Sequence, residues 1–136
     1  MTSKKELPLI HNYRASSLTE NPPAIIMLHG YGSNEDDLFS FAPELPDKYA
    51  VIALKAPLSL HGMGNAWYSS YFENADYSKF NDIEEAVKAR ELVVETIDKA
   101  IEVYGLDKDN ITLLGFSQGT ILSLAVSLSY PEKIKR

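Results

Sequence analysis

The residue with the clearest chemical context is Ser117, at the centre of the run Gly115-Phe116-Ser117-Gln118-Gly119. It stands between an apolar run, 111–114, and a helix-like segment, 118–130. In a G-x-S-x-G turn of this kind the serine takes a strained conformation, and the glycines keep Cβ atoms out of the crowded turn. The pattern predicts a serine nucleophile, with the backbone N–H of Gln118 as one oxyanion donor. The alternative interpretation is a serine that only caps a helix in a glycine-rich turn.

A second glycine-rich loop, His29-Gly30-Tyr31-Gly32, follows the apolar run 24–28. Hydrolases whose nucleophilic serine lies in a sharp strand-to-helix turn, called the elbow, place their other oxyanion donor in such a loop. The backbone N–H of Tyr31 is therefore the predicted donor. Gly30 and Gly32 would allow a close approach of the backbone. His29 invites an interpretation as catalytic base, but in this type of site the base follows the nucleophile along the chain. We therefore expect His29 to be structural and to hydrogen-bond its loop.

The elements that must position these loops are predicted from apolar runs. Runs at 24–28, 49–54 and 111–114 have no polar alternation, which is typical of parallel strands buried on both faces. Residues 7–14 could form an edge strand. Ser33 or Asn34 is the predicted cap of a short helix with acids in its first turn. The alternation of strands with helices along the chain indicates an α/β fold, with a mostly parallel sheet flanked by helices.

Two longer helices complete the prediction. The first begins near Asn81, which forms a capping box with Glu84, and ends at Gly105. Its apolar stripe comprises Ile83, Val87, Val94, Ile97, Ile101 and Tyr104. The second, 118–130, is apolar on most sides and is predicted to be buried, with Pro131 ending it.

Residues 56–80 have no usable period but hold six aromatic residues: Trp67, Tyr68, Tyr71, Phe72, Tyr77 and Phe80. Long irregular loops in compact domains are usually lids or binding loops when they are not disordered. Two interpretations stay open. The segment either covers one end of the core or forms an apolar wall or lid over a substrate pocket.

Composition limits the other possibilities. The 136 residues are 45% hydrophobic, which suits a single domain spanning 1–136. The net charge of −6 makes nucleic acid a poor partner, and no apolar run is long enough to span a membrane. Without cysteine or a visible secretory signal, a cytoplasmic location is expected. No His cluster or phosphate-binding loop with Lys points to a metal or nucleotide cofactor.

Three blocks together resemble the phospholipase/carboxylesterase family of α/β hydrolases: 28–38, 66–68 and 115–120. The resemblance implies a Ser-His-Asp esterase without a cofactor, acting on small carboxylic esters or thioesters. By that resemblance Ser117 is the nucleophile, and Tyr31 and Gln118 supply the oxyanion N–H groups. Trp67 corresponds to a family Trp near the acyl pocket, and Gly30 and Tyr68 are further predicted substrate-binding residues.

The sequence departs from the family where the triad should be completed. After Ser117 it has no Asp and no His, and Glu132 is the only acid. His11, His29 and His61 all precede the nucleophile. We therefore expect a partial α/β-hydrolase fold that lacks the C-terminal strands, with 111–114 at an open sheet edge. An open apolar edge predicts a homo-oligomer or a second polypeptide that completes the fold. The alternative function is a catalytically incomplete module that binds small ligands or a protein.

Overall fold

The computed structural model describes residues 4–69 and 78–136, the side chains of residues 78–82 excepted. The strands are β1 His11–Arg14, β2 Ala24–Leu28, β3 Ala50–Leu54, β4 Leu58–Ser59, β5 Asn65–Ala66 and β6 Ile111–Gly115. The helices are α1 Glu35–Phe39, α2 Ser78–Tyr104 and α3 Gln118–Ser129, with a 3-10 helix at Ala42–Glu44.

The main sheet has the strand order β1-β3-β2-β6. Two pairings place β2 parallel to both β3 and β6, whereas in the third β1 runs antiparallel to β3 at one edge. In this register Leu28 lies opposite both Leu54 and Gly115. The carboxyl ends of three strands therefore coincide, and the loops that follow them meet at one edge of the sheet. The predicted α/β fold with a mostly parallel sheet is confirmed.

Both faces of the sheet are covered by helices. On one face Ile26 and Ile52 pack with α2 and α3, and on the other Ile25 and Val51 pack with α1. All five residues of β2 and all five of β3 are buried. The continuous apolar runs thus have the two-sided burial that their composition predicts. The first predicted strand is shorter than the run 7–14, because only His11–Arg14 pairs with β3.

β6 is the outer strand of the sheet in the described residues, as predicted, but its free edge is not fully open. The backbone N–H of Leu113 donates to the carbonyl of Arg136 at 2.7 Å, and that of Lys135 donates to Ile111 at 2.8 Å. The last residues of the chain therefore cover part of this edge. The prediction of an open edge is therefore wrong for the part of β6 that these residues cover.

The long helix α2 ends as predicted but begins earlier. It runs to Tyr104, and Gly105 follows with φ of +65° in the left-handed region that glycine adopts readily. Its first residue is Ser78, so the predicted start near Asn81 is wrong by three residues. The predicted apolar stripe is also only partly buried. Val94 and Ile97 are in the core, whereas Ile83 and Val87 are exposed.

α3 has the predicted bounds to within one residue, but the prediction that most of its sides are buried is wrong. Leu122 and Val126 are buried against the sheet and α2. Ile121, Leu124 and Leu128, at helical spacing on another side, are 61%, 58% and 82% exposed. Composition indicates how apolar a helix is, but burial needs a neighbour. Among the described residues α3 has neighbours on one side only.

Part of the aromatic segment 56–80 is ordered into a hairpin. β4 and β5 pair antiparallel, and Trp67 after them is fully buried in the core. The interpretation as a cover for the core holds for Trp67. Tyr71, Phe72 and Tyr77 lie outside the described residues, as does the side chain of Phe80, so the predicted lid stays a prediction.

Candidate active site

Ser117 occupies the turn between β6 and α3 at the carboxyl edge of the sheet. Its backbone has φ of 54° and ψ of −118°, a conformation that non-glycine residues rarely adopt. The turn is anchored on β2, because the N–H of Phe116 donates to the carbonyl of Leu28 at 3.1 Å. The strained strand-to-helix turn predicted from the sequence is present. The side chain of Ser117 is exposed and makes no hydrogen bond to the part of the chain that the structure describes.

Two glycines let this turn pack against its surroundings. A Cβ at Gly119 would lie 2.0 Å from the carbonyl oxygen of Leu28, and one at Gly115 would lie 2.5 Å from that of Gly119. No side chain fits at such distances from backbone atoms. The G-x-S-x-G spacing is therefore a steric requirement of the packed turn.

The loop after β2 lies against the serine. A Cβ at Gly30 would be 3.3 Å from the Cβ of Ser117, so the two loops are in van der Waals contact at this point. The loop is held from its other side by the β4–β5 hairpin, since Gly32 N–H donates to Asn65 at 2.9 Å and Asn65 N–H donates to Ser33 at 2.8 Å. In the described ranges, neither the Tyr31 nor the Gln118 backbone N–H has an internal acceptor. Such groups suit the oxyanion roles, which remain predictions.

His29 is a structural residue, as expected. It is buried, and its Nδ1–H donates to the carbonyl of Gly30 at 2.8 Å while its Nε2 accepts from the N–H of Ala56 at 2.9 Å. The donor from Ala56 leaves Nε2 unprotonated, so the ring is the neutral Nδ1–H tautomer. Burial also lowers the pKa of His29, which favours the neutral form. With both nitrogens engaged, this ring has no free site to accept a proton from Ser117.

The predicted substrate-binding aromatics lie beside the elbow. Trp67 is 1% exposed, and its indole N–H donates to the carbonyl of His29 at 2.8 Å. Its backbone N–H donates to the side-chain oxygen of Gln118 at 2.7 Å, and the Gln118 amide nitrogen donates to the carbonyl of Tyr68 at 2.8 Å. The structure thus brings together all six predicted site residues: Ser117, Gln118, Tyr31, Trp67, Gly30 and Tyr68.

Sequence reasoning missed how these loops are joined. It treated Gln118 only as a backbone donor and gave no role to Asn65, which links the hairpin to the loop after β2 and to the carbonyl of Ala56. No local signal identifies such contacts, because the partners lie 9 to 51 positions apart in the chain.

In the described residues, no hydrogen bond joins Ser117 to a histidine or carboxylate that could serve as general base or as its acid partner. His11 is buried with Nε2 2.8 Å from the hydroxyl of Tyr104 and Nδ1 3.3 Å from the carbonyl of Leu9, and burial lowers its pKa. His61 is exposed in the hairpin turn. Glu132 follows α3, whose 12 residues span about 18 Å, so it lies at the end opposite Ser117.

Within the described ranges, no helix has the length and apolar content needed to cross a membrane. The same residues contain no group of three or more His, Asp or Glu side chains arranged to hold a metal ion.

A serine on a strained turn that joins a parallel strand to a helix, in a sheet covered on both faces, defines the class of α/β hydrolases. Within that class, the sequence pattern of the phospholipase/carboxylesterase family matches residues 15–136. The chain belongs to this family, and the predicted resemblance is confirmed.

Individual relatives have the same fold as this chain but are longer than it. The carboxylesterase of Mesorhizobium loti superposes with a TM-score of 0.79 at 20% identity, covering 97% of this chain and 60% of that one. The carboxylesterase of Bacillus cereus gives 0.77 at 23% identity, covering 93% and 57%. An uncharacterized hydrolase of Mycosarcoma maydis is 27% identical over 126 residues, covering 88% of this chain and 47% of its own length. The chain therefore spans about half the length of such relatives.

Proposed function

We propose that this chain is the nucleophile-bearing part of a serine hydrolase that cleaves carboxylic esters or thioesters through an acyl-enzyme. The observation that carries the proposal is the strained turn at Ser117, held against the loop of Gly30 at the carboxyl edge of the sheet. Membership of a carboxylesterase family supports the same reaction class. The partly buried Tyr68, held next to Gln118 and packed against the core, supports an acyl group lying on an apolar surface.

In the proposed reaction Ser117 Oγ attacks the carbonyl carbon and gives its proton to a general base. The negative charge that develops on the carbonyl oxygen is stabilised by the N–H groups of Tyr31 and Gln118. Collapse of this intermediate releases the alcohol or thiol, which takes the proton from the base, and leaves the acyl group on Ser117. Water then attacks the ester carbon by the same route and regenerates the serine.

We propose that the base and its acid partner come from a segment outside the described residues, since within those residues no hydrogen bond joins Ser117 to a histidine or a carboxylate. A serine without its base is a weak nucleophile at neutral pH, and removing triad members lowers the rate by about 10⁴- to 10⁶-fold. We propose that the completing segment docks on the exposed side of α3 and on the part of the outer edge of β6 that residues 135–136 leave uncovered. The exposed Ile121, Leu124 and Leu128 support that location.

The second candidate is a module that binds a small ester or a protein through the same surface without turnover. It is favoured by one observation, namely that the ring nitrogens of the two buried histidines, His11 and His29, are already paired with groups other than Ser117.

The test is hydrolysis of p-nitrophenyl butyrate by the purified chain beside a Ser117→Ala variant prepared identically, which controls for contaminating host esterases. Turnover that disappears in Ser117→Ala supports the hydrolase. Equal background rates in both preparations, together with saturable binding of the ester, would favour the binding module.

A further inference from the structure

The side chain of Gln118 bridges two loops at the candidate site. It is buried, and its amide is used at both ends: the oxygen accepts from Trp67 N–H at 2.7 Å, and the nitrogen donates to the Tyr68 carbonyl at 2.8 Å. Only a side chain that accepts and donates in one plane can pair with two successive peptide groups in this way. The side-chain amide of Gln118 therefore forms hydrogen bonds with the backbone of the aromatic segment as the backbone of a neighbouring strand would.

The bridge continues from Trp67 into the loop that carries Gly30 and Tyr31. The indole N–H donates to the carbonyl of His29, and the two rings lie 5.5 Å apart between centroids. His29 in turn accepts from Ala56, directly after β3. A buried network in which each amide, indole and imidazole group has its partner holds its members in one arrangement, and loss of one member leaves another unsatisfied.

We infer that the Gln118 side chain is a positioning residue: it holds the buried Trp67 and the half-buried Tyr68 beside the turn of Ser117, and by fixing Tyr68 it sets the surface on which the acyl group of the substrate lies. The acyl part of this inference rests on the proposed function, whereas the bridge itself does not. One residue would then serve two parts of the acyl group: its backbone N–H would stabilise the developing charge on the carbonyl oxygen, and its side chain would hold the surface for the acyl chain.

Trp67 makes the bridge directly measurable, because it is the only tryptophan of the chain. The test variant is Gln118→Glu, which keeps the size of the side chain. Its carboxylate can still accept from Trp67 N–H but has no proton for the Tyr68 carbonyl, so two oxygen atoms with lone pairs face each other. An unsatisfied buried carbonyl should raise the population with a displaced Trp67 about tenfold. We expect a red shift of Trp67 emission and stronger acrylamide quenching at pH 8.

Acidification supplies the distinguishing readout. The introduced carboxyl has an ordinary pKa of about 4.3, and burial would raise it, so at pH 5 much of it carries a proton that can be donated to Tyr68. Emission and quenching should then return toward the wild-type values. Among the described residues, the other titratable groups facing this region are His29, next to Trp67, and Glu85, which accepts from the N–H of Ser69. The wild-type chain, measured at both pH values, accounts for them.

The matched control is Asn21→Asp, the same amide-to-carboxyl change in an exposed turn at the opposite end of β2. It should leave Trp67 emission and quenching unchanged at both pH values. Circular dichroism on the same samples reports global folding, and refolding of Gln118→Glu on acidification would also support the bridge. Wild-type emission from Gln118→Glu at pH 8, or a defect that acid does not reverse, would overturn it.

A kinetic measurement extends the test to the substrate. If the chain hydrolyses p-nitrophenyl esters, Gln118→Glu at pH 8 should raise KM severalfold for the octanoate while kcat changes less; an unchanged KM would overturn the acyl part of the inference. The fluorescence result stands whether or not the chain turns over an ester. Failure of the bridge and failure of the proposed function are therefore distinguishable.

Discussion

The two sides of α3 differ in what covers them. On the inner side Gly119, Leu122 and Val126 are buried against β2, β6 and α2. Hydrogen bonds join the start of this helix and the turn before it to the end of β2 and to the segment of Trp67. On the outer side Leu124 and Leu128 are exposed although they are as apolar as their inner neighbours. The inner side of α3, which holds the turn of Ser117, is therefore packed within the described residues. Its outer side, where we propose that the completing segment docks, has no cover there.

The largest effect is expected at the point where α3 touches β2. Gly119→Ala should reduce the free energy of unfolding by about 3 kcal/mol or more, because the new Cβ would lie 2.0 Å from the Leu28 carbonyl oxygen. Helix propensity alone predicts the opposite sign. Gly105→Ala is the control, since it has open space and only a positive φ, and should cost about 1 kcal/mol. Urea unfolding measures both, and similar losses would contradict the close contact.

The second prediction compares the two sides of α3 with the same substitution. Leu122→Ala should cost about 3 kcal/mol, because it opens a cavity in the core. Leu124→Ala should change stability by no more than about 0.5 kcal/mol, since the side chain is already exposed. The measurement is urea unfolding at low protein concentration. Equal losses at the two positions would mean that the outer side is covered.

The third prediction concerns pH and the buried histidines of the inner region. Burial lowers the pKa of His29 and of His11, so the unfolded chain takes up protons first as the pH falls below about 6.5. The contribution of these histidines to the free energy of unfolding should be constant above that pH. It should decrease as the pH is lowered from that value to the folded-state pKa values. Each histidine contributes up to about 1.4 kcal/mol per unit of pKa difference.

Urea unfolding at pH 7.5 and 5.5 measures this loss, and NMR titration of the ring protons assigns it to residues. Midpoints at or above 6.5 for both rings would contradict the burial argument.

The smallest effect on stability is expected on the outer side of α3. Leu128→Lys should change the free energy of unfolding by no more than about 0.5 kcal/mol, because the side chain is 82% exposed. It should nevertheless weaken self-association, since a charge would have to be buried in the proposed contact. Light scattering of the wild type and the variant measures this change.

Leu18→Lys, in the loop between β1 and β2, is the control and should leave association unchanged. A wild-type chain that is a monodisperse monomer of about its own mass, 15.2 kDa, would contradict self-association through this surface.

Some features of this protein were predictable because they depend on a few neighbouring residues. Only glycine fits at positions 115 and 119, because the turn is packed against backbone atoms there. The spacing of the two glycines therefore predicts the turn at Ser117. The same holds for the helix end at Gly105 and for the Asn34 cap, whose side chain accepts from Asp36 N–H at 2.8 Å. The start of α2 was not predictable in this way, because Asn81 provides a good cap but the helix continues past it to Ser78.

The sequence by itself determined the strands buried on both faces, the turn that presents Ser117 and the family, because backbone sterics and apolar runs act over short stretches of chain. Only the tertiary structure decided the rest. It selected Ala56 as the donor to Nε2 of His29, joined Gln118 to Trp67 across 51 positions, and left Leu124 exposed while burying Leu122. These outcomes depend on which distant segment packs against each side chain, and no local pattern of residues contains that information.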